Sequence, residues 1–390
     1  MWLVKPANII TDHGLLSGLS DDDHLQYLLR NVLTTHGDIF SRNASVIQRI
    51  APNTDGKILT THNIGSLPTW EPPLAEFARI GKYENDAYGG ALGAIIDESN
   101  GILYHGCAYN ILKINLFNFS LIANVATGYP YGLQLDSTYL YYIHFLGTEG
   151  LYRLLLSDFS TINFLDLSAY ITGWGSAYHT KCCAIDTKNN LIYIGGTGGA
   201  TSNGTVVKVN TSTFAYVADI DLGNYTTVNG MCIDAANQKL YLACLNRYVK
   251  KIRLDTFAVE ATYDAGTPNS DFSNVFLNND KTLLFAIRQN GEVHCLKTSN
   301  MNILFDKITG LGTIHAGDID ASAGYLYLAT WANPSKIIVI RTNDCTVRTS
   351  FDLSNGEGYG IALTVDKTRG HHYVGCYIDP LRIVKIRSFD

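Results

Sequence analysis

The stretch Met231-Cys-Ile-Asp234, followed after four residues by Lys239-Leu-Tyr-Leu242, decides the fold because its pattern recurs along most of the chain. In each copy a short apolar run ends in Asp or Asn, and a second apolar run begins a few residues later. Seven copies are present, and the residues that end their first runs are Asp97, Asp136, Asp186, Asp234, Asn278, Asp320 and Asp366. The first and last of these lie 269 residues apart, so the six intervals average about 45 residues.

The length of this repeat predicts a β-propeller. Strand repeats of about 40–50 residues are typical of propellers, in which each repeat forms one four-stranded blade. Because Asp and Asn side chains cap tight turns, each pair of apolar runs is expected to form a hairpin. Helical repeats would need apolar residues at helical spacing, which the sequence lacks. The rhythm resembles that of seven-bladed propellers of the quinoprotein-like or NHL-like kind, and the WD40 signature is missing.

A third pattern completes the repeat. Lys113-Ile-Asn-Leu-Phe-Asn-Phe119, Lys208-Val-Asn-Thr-Ser-Thr-Phe214 and Lys251-Ile-Arg-Leu-Asp-Thr-Phe257 each predict a third strand, a turn and the start of a fourth strand. In the last repeat the sequence ends before a fourth strand. Residues 75–83 alternate like a strand and belong to no other repeat, so we predict that they complete the seventh blade and leave no open edge.

Composition restricts the partners that we expect. The formal net charge is −6 and the basic residues are scattered, which argues against nucleic acid. No apolar stretch approaches the roughly 18 residues of a membrane span, and no signal peptide is recognisable, so we expect neither membrane insertion nor ordinary secretion. The eight cysteines form no CxxC pair and are interpreted as buried free thiols of a protein made in a reducing cytoplasm. We therefore expect no zinc site and no cofactor.

The first 73 residues differ in composition from the repeats, and they end in the stiff stretch Pro68-Thr-Trp70-Glu-Pro72-Pro73. We therefore assign residues 1–73 to a small N-terminal adaptor and residues 74–390 to the propeller, a mainly β fold. The motif from Asp12-His13-Gly14 to Asp21-Asp22-Asp23-His24-Leu-Gln26-Tyr27 closely resembles an element of bacteriophage tail-fibre proteins. A second motif, from Leu33 to Trp70, resembles another module common in the same proteins.

The resemblance implies a virion protein, assembled in the cytoplasm of the host bacterium and anchored to other virion proteins through residues 1–73. A segment this short, without disulfides, cannot bury enough apolar surface to fold alone. The resemblance implies a homo-oligomer, namely the parallel trimer in which fibre modules share one core. The virion-attachment residues that it implies are Asp12, His13, Asp21, Asp22, Asp23, His24, Gln26 and Tyr27.

The acidic run from Asp21 to His24 has two interpretations. Three acids ahead of an apolar run fit the N-terminus of a helix, where the helix dipole favours negative charge. Asp and His side chains are also good ligands for divalent metal ions. The absence of an Asp-x-Asp-x-Asp-Gly loop favours the helix, but both interpretations stay open.

Aromatic residues in the loops between blades are the candidate ligand-binding residues. In a propeller these loops gather on one face around the central channel, and rings with polar tips suit sugar stacking or protein contact. The alternative that each ring packs between blades as part of the core stays open. The candidates are Tyr88, Tyr129, Tyr131, Trp174, Tyr178, Tyr225 and Tyr359.

The sequence assembles no persuasive active site. The glycine-rich run Gly195–Ala200 leads into a strand rather than a helix, which favours a hairpin loop over a dinucleotide site. We therefore predict a virion protein that is not an enzyme, whose propeller binds a host-surface receptor or glycan. Two alternatives stay open: a purely structural or decoration role in the tail, collar or capsid, and a polysaccharide depolymerase or lyase.

Overall fold

The structure is a computed structural model, and it describes residues 77–144, 150–171, 182–198, 203–224, 226–245, 247–266, 271–305 and 307–388, together with four short N-terminal strands. The chain divides into two compact units, Met1–Glu76 and Phe77–Asp390. In the first unit the described strands form two antiparallel pairs. These strands are β1 (Ile39–Arg42), β2 (Ile47–Ile50), β3 (Ile58–Thr60) and β4 (Thr69–Glu71).

The second unit is a seven-bladed β-propeller, which confirms the predicted fold class. Among the described residues, six antiparallel sheets have four strands and one has three. The innermost strands of neighbouring blades contact each other all the way round, and the first blade contacts the seventh. The innermost strands of blades 1 to 7 are β6 (Ala91–Asp97), β10 (Pro130–Leu135), β14 (Cys183–Asp186), β18 (Val228–Asp234), β22 (Phe272–Leu277), β25 (Ile314–Asp320) and β29 (Gly360–Asp366).

The remaining strands follow outward in each blade. The second strands are β7 (Ile102–Cys107), β11 (Tyr139–His144), β15 (Leu191–Gly198), β19 (Lys239–Cys244), β23 (Leu283–Arg288), β26 (Tyr325–Thr330) and β30 (His371–Cys376). The third strands are β8 (Asn110–Asn115), β12 (Gly150–Leu155), β16 (Asn203–Asn210), β20 (Tyr248–Arg253), β24 (Val293–Lys297), β27 (Lys336–Arg341) and β31 (Leu381–Ser388). The outermost strands of blades 1, 2, 3, 4, 6 and 7 are β9 (Leu121–Ala126), β13 (Ser160–Asp166), β17 (Ala215–Asn224), β21 (Ala258–Asp264), β28 (Val347–Asp352) and β5 (Phe77–Asn85).

Blade 7 is completed by the strand that precedes blade 1. β5 pairs antiparallel with β31, from Phe77 opposite Ser388 to Asn85 opposite Leu381. The strand lies two residues later than the segment 75–83 proposed from the sequence, which it overlaps. Because β5 covers the outer edge of β31, the backbone groups of that edge are paired within the blade. Blade 5 differs, since two isolated bridges, Val293 to Ile308 and Leu296 to Ile303, take the place of a regular fourth strand.

The blades are held together by apolar layers. Each of the seven interfaces between neighbouring blades contains its own cluster of buried apolar residues. Second strands are almost fully buried because a neighbouring blade covers each of their faces, as in β7. The hairpin turns form as the sequence indicates: the carboxylate of Asp136, for example, accepts the backbone N–H groups of Thr138 and Tyr139, both at 2.7 Å.

A recurring polar contact, here named the clasp, joins most neighbouring blades. A basic side chain on the third strand of one blade reaches the turn between the third and fourth strands of the next blade. Four such side chains donate a hydrogen bond to a backbone carbonyl there: Lys113 to Leu156, Arg153 to Thr211, Lys251 to Thr298 and Lys385 to Leu116. In blade 3 the ammonium of Lys208 instead lies 4.6 Å from the ring centroid of Phe257 in that turn. Blades 5 and 6 carry the uncharged residues Cys295 and Val339 at the same register.

Candidate functional site

Strand order determines which connections share a face of the propeller. Each blade is an antiparallel meander, so the chain crosses the disc four times before it enters the next blade. The connections between blades therefore lie on the same side as those between second and third strands. We name this side the loop face and the opposite side, with the Asp-led hairpins, the turn face. Loops on a rigid scaffold are the usual place for binding residues, so the loop face is the candidate site.

Five aromatic side chains on the loop face form a chain of neighbouring rings, here named the aromatic arc: Trp331, Tyr359, Tyr377, Tyr109 and Tyr129. The ring centroid of Trp331 lies 5.0 Å from that of Tyr359 and 5.7 Å from that of Tyr377. The centroids of Tyr109 and Tyr129 lie 6.1 Å apart, with the rings edge to face. These spacings are those of interacting aromatic pairs, so the rings support each other.

Two glycines join the halves of the arc. A Cβ atom on Gly90 would lie 2.9 Å from the Tyr377 ring, and one on Gly89 would lie 3.3 Å from the Tyr109 ring. Gly89 also has a φ of 65°, a backbone conformation that residues with a side chain rarely adopt. The rings of Tyr377 and Tyr109 thus lie against bare backbone, and the arc continues from blades 6 and 7 to blades 1 and 2.

Backbone hydrogen bonds fix the loops that carry the arc. Tyr359 has a φ of 55°, and its N–H donates to the carbonyl of Ala332 at 2.7 Å. Its own carbonyl accepts the N–H of Tyr377 at 2.9 Å. The N–H of Trp331 donates to the carbonyl of Thr313 at 2.7 Å. The rings of blades 6 and 7 are therefore attached to ordered backbone, which lowers the entropic cost of using them in binding.

The arc offers accessible apolar and hydroxyl groups without a net charge. Tyr109 is 55% exposed, Tyr377 38% and Tyr359 37%, while Trp331 is half-buried. The imidazole of His315 lies 4.9 Å from the Trp331 ring, and burial lowers the pKa of His315 to about 4. It is therefore neutral at pH 7. The arc can stack on a flat or apolar ligand surface and exchange hydrogen bonds through tyrosine hydroxyls.

Ion pairs hold the loop that leads to Tyr359. The carboxylate of Glu357 is nearly inaccessible and lies 2.5 Å from a guanidinium nitrogen of Arg79 on β5. Arg382 on β31 donates to the carbonyl of Gly356 and pairs with Glu84 of β5 at 3.3 Å. Because β5 contributes to both pairs, the strand that closes the ring also supports one end of the aromatic arc.

Four of the predicted ligand-binding rings can be placed, and they differ. Tyr359 is exposed and Tyr129 is half-buried within the arc. Tyr88 is also half-buried and packs against the apolar layer between blades 7 and 1. Tyr131 is removed from the candidate surface: it lies in β10, is only 5% exposed, and packs in the apolar layer between blades 2 and 3. Its strand position turns the ring toward the neighbouring blade instead of solvent.

The remaining predicted site residues lie outside the described residues. These are Trp174, Tyr178 and Tyr225 of the loops and Asp12, His13, Asp21, Asp22, Asp23, His24, Gln26 and Tyr27 of the adaptor. The two interpretations of the acidic run, helix cap or metal site, therefore stay predictions.

Sequence reasoning missed three members of the arc: Tyr109, Trp331 and Tyr377. They follow second strands, whereas only the loops between blades were considered. The signal that identifies them is topological, because two strands of a meander return the chain to the side from which it started.

A strongly polar cluster lies at blade 5. Burial alone would raise the pKa of Glu292, but hydrogen bonds from Lys307, Arg288 and His294 lower it to about 2. The hydroxyl of Tyr263 lies 2.9 Å from Nδ1 of His294. A carboxylate held by three partners is a poor proton acceptor, so we interpret this cluster as a contact between blades 4 and 5. Within the described ranges, no group of three or more His, Cys, Asp or Glu residues could hold a metal ion.

Two comparisons by sequence found nothing: no family model and no curated protein matches this chain. Among solved structures, a chain of Kuenenia stuttgartiensis hydrazine synthase is similar, with a TM-score of 0.64 and 11% sequence identity. The similarity covers 77% of this chain and 96% of that chain. At this identity the likeness extends to the propeller fold and no further. In the part of the chain that is described, no helix has the length and apolar character needed to cross a membrane.

Proposed function

We propose that this chain is a bacteriophage virion protein of the tail or fibre, without enzymatic activity, whose propeller binds a host-surface receptor or glycan through the aromatic arc. The observation that carries the proposal is the arc itself, in which Tyr109, Tyr359 and Tyr377 remain accessible on a rigid ring. Tyrosine and tryptophan supply large contact areas with few rotatable bonds, which is why they dominate the centres of binding surfaces.

The phage assignment is supported by the resemblance of residues 12–27 to an element of tail-fibre proteins. In this proposal residues 1–73 anchor the chain to other virion proteins and form a trimer, and assembly takes place in the host cytoplasm. Three copies would present three arcs on one particle, so weak individual contacts would add up to firm attachment. Deleting residues 1–73 should then abolish incorporation into virions and leave a monomeric propeller, as measured by light scattering.

The decisive experiment compares exposed rings on opposite faces. The double variant Tyr109→Ala, Tyr377→Ala should weaken adsorption of the full-length protein to host cells by at least about tenfold, since a ring at a contact centre contributes roughly 1–3 kcal/mol. The matched control is Phe117→Ala, which removes a ring that is 71% exposed on the turn face. Both proteins should keep the thermal melting temperature of the parent.

The outcomes separate the alternative functions. Equal adsorption of the double variant and the parent would remove the loop face from the proposal and favour a purely structural or decoration role. A depolymerase or lyase would release reducing ends or unsaturated sugars from host polysaccharide, and we expect the full-length protein to release neither. Loss of adsorption in the Phe117→Ala control would instead place recognition on the turn face.

A further inference from the structure

One hairpin of the turn face is shorter than its counterparts. In six blades four residues separate the capping Asp or Asn from the second strand, as between Asp366 and His371. In blade 2 only Ser137 and Thr138 separate Asp136 from Tyr139. The hairpin of blade 2 therefore lacks two residues at the edge that faces blade 3.

The interface between blades 7 and 1 shows what a hairpin of ordinary length does there. The N–H of Lys367 and the hydroxyl of Thr368 donate to the carboxylate of Glu98 in the blade 1 hairpin, at 3.2 and 2.8 Å. The guanidinium of Arg369 lies 4.6 Å from the ring centroid of Phe117 in the next turn of blade 1. The longer hairpin thus crosses to the neighbouring blade and occupies the space between them.

Between blades 2 and 3 the corresponding space is a cavity of about 610 Å³. Eight of its ten lining side chains carry a hydroxyl or an amide group, and the other two are charged. The lining includes Asp136, Ser137, Thr138, Arg153, Asn190 and Ser212. This volume lies within the range of small-ligand pockets, and the lining is polar on both the blade 2 and blade 3 sides.

The two charged groups of the cavity are fixed before any ligand arrives. The guanidinium of Arg153 lies 4.4 Å from the ring centroids of both Tyr139 and Phe214. Its Nε donates to the side chain of Asn163 at 2.7 Å, and one Nη donates to the carbonyl of Thr211 at 2.8 Å. Asp136 accepts the hydroxyl of Tyr141 at 2.7 Å in addition to its two backbone N–H groups.

We propose that this cavity binds one neutral sugar ring. The formal charges of Asp136 and Arg153 cancel, so the cavity offers no net charge to an ionic ligand. The remaining groups both donate and accept hydrogen bonds, which matches a ligand that carries several hydroxyls. Tyr139 in the lining adds an aromatic ring, which can contact the apolar carbon–hydrogen groups of a sugar. This site lies on the turn face and is independent of the aromatic arc.

The test uses the full-length protein and methyl glycosides of glucose, galactose, mannose and N-acetylglucosamine, with methyl glucuronide as the charged counterpart. Binding is followed by saturation-transfer NMR and titration calorimetry. At least one neutral glycoside should bind in the millimolar range, and methyl glucuronide should bind more weakly than methyl glucoside. Free glucose is compared with methyl glucoside to identify the source of the sugar. A site for a free sugar should prefer glucose, and a site for the terminal unit of a glycan chain should prefer methyl glucoside.

Two variants assign the binding to this cavity. Insertion of Ser-Asn after Ser137 gives the blade 2 hairpin the length found in the other six blades, and Ser137→Trp fills the cavity from its rim. Each should lower the affinity at least tenfold. The matched control Asn279→Trp changes an exposed residue of the blade 5 hairpin and should bind like the parent. The arc variant Tyr109→Ala, Tyr377→Ala should also bind like the parent, so failure of either proposal is recognised separately.

Three outcomes would overturn the proposal. Binding of no neutral glycoside would leave the cavity without a sugar ligand. Preference for methyl glucuronide would show that Arg153 dominates and that the ligand is an anion. Undiminished binding by both cavity variants, with folding verified from their melting curves, would place the sugar elsewhere on the protein.

Discussion

Two interfaces of the propeller hold neighbouring blades together with different chemistry: the one between blades 7 and 1 and the one between blades 5 and 6. Blade 7 carries Asp366, Tyr373 and Lys385, and the ammonium of Lys385 forms a clasp with the Leu116 carbonyl of blade 1 at 2.8 Å. Blade 5 carries Asn278, Phe285 and Cys295 at the equivalent positions.

The clasp of blade 5 is replaced by a pair of thiols. Cys345 occupies the turn position that Phe119 occupies in blade 1, both with positive φ, and the Cys295 and Cys345 side chains lie in the same buried apolar cluster. Blades 5 and 6 are consecutive in the chain, and blades 7 and 1 are joined by the segment that leads from β5, the outermost strand of blade 7, to β6 of blade 1. Clasps also join the consecutive blades 1 and 2, 2 and 3, and 4 and 5, so the apolar contact between blades 5 and 6 follows from Cys295 at the clasp position and not from the chain connection.

The largest expected effect comes from breaking the closing interface outright. Deletion of residues 1–85 removes β5, exposes the edge of β31 and removes the ion pairs of Arg79 and Glu84. We expect the free energy of unfolding to fall by more than about 5 kcal/mol, comparable with the whole stability of many domains. The control deletion of residues 1–76 leaves β5 in place. Equal denaturation midpoints for the two deletions would show that the ring does not depend on this strand.

The next effect tests whether blade 5 can accept a clasp. Cys295→Lys places an ammonium opposite Phe285, with neither the Asp nor the Tyr that accompanies the other basic residues. We expect a loss of about 3–5 kcal/mol in the free energy of unfolding, since a buried charge without a partner is costly. Cys295→Ala, which only removes the thiol, should cost about 1 kcal/mol. Similar values for the two variants in denaturant titrations would mean that the turn of blade 6 already offers a usable acceptor.

A smaller effect concerns pH at the closing interface. Burial lowers the pKa of His105 on β7 to about 3, partly offset by a contact with the backbone of Gly106. In the unfolded chain His105 binds a proton near pH 6.5, and in the folded protein it does not. The contribution of the neutral His105 to the free energy of unfolding is therefore complete above pH 6.5 and is lost as pH falls toward 3. At pH 5 the loss should be about 2 kcal/mol.

His105→Gln removes this titration and should flatten the dependence of the unfolding free energy on pH between 7.5 and 5. His294→Gln in blade 5 is the comparison: burial lowers the pKa of His294 as well, but its pair with Glu292 offsets part of that shift, so this variant should flatten the pH profile less. Identical pH profiles for the parent and His105→Gln would exclude His105 as the source of acid sensitivity.

The smallest effect isolates a single clasp. Lys385→Met keeps most of the side-chain volume but leaves the Leu116 carbonyl without its donor, which should cost about 1–2 kcal/mol in the free energy of unfolding. Lys336→Met is the control, because the Lys336 side chain is 43% exposed and its pair with Asp352 at 3.4 Å is a surface contact. If both substitutions change stability equally, the clasp contributes no more than a surface ion pair.

The sequence predicts the fold better than the candidate site, and single residues show why. The turn at Asp136 depends on groups within three residues of it, so the Asp136 side chain predicts the hairpin from the local sequence alone. The aromatic arc depends on neighbours far apart in the chain, since Tyr377 and Tyr109 approach each other only through Gly89 and Gly90 after ring closure. Tyr131 shows the opposite case. The sequence pattern places it in a loop before a strand, whereas in the structure it lies within β10 and is buried.

What the sequence by itself determined is the number of blades. The alternation of apolar and polar residues within each repeat indicates its strands, and the capping Asp or Asn indicates its turn. What only the tertiary structure decided is the chemistry between blades. The choice of clasp or thiol pair at an interface requires knowing which third strand faces which turn, and the cavity at Asp136 requires knowing what a longer hairpin would have filled. These contacts join residues about 40 or more positions apart, and their energies exist only once the ring has brought the two surfaces together.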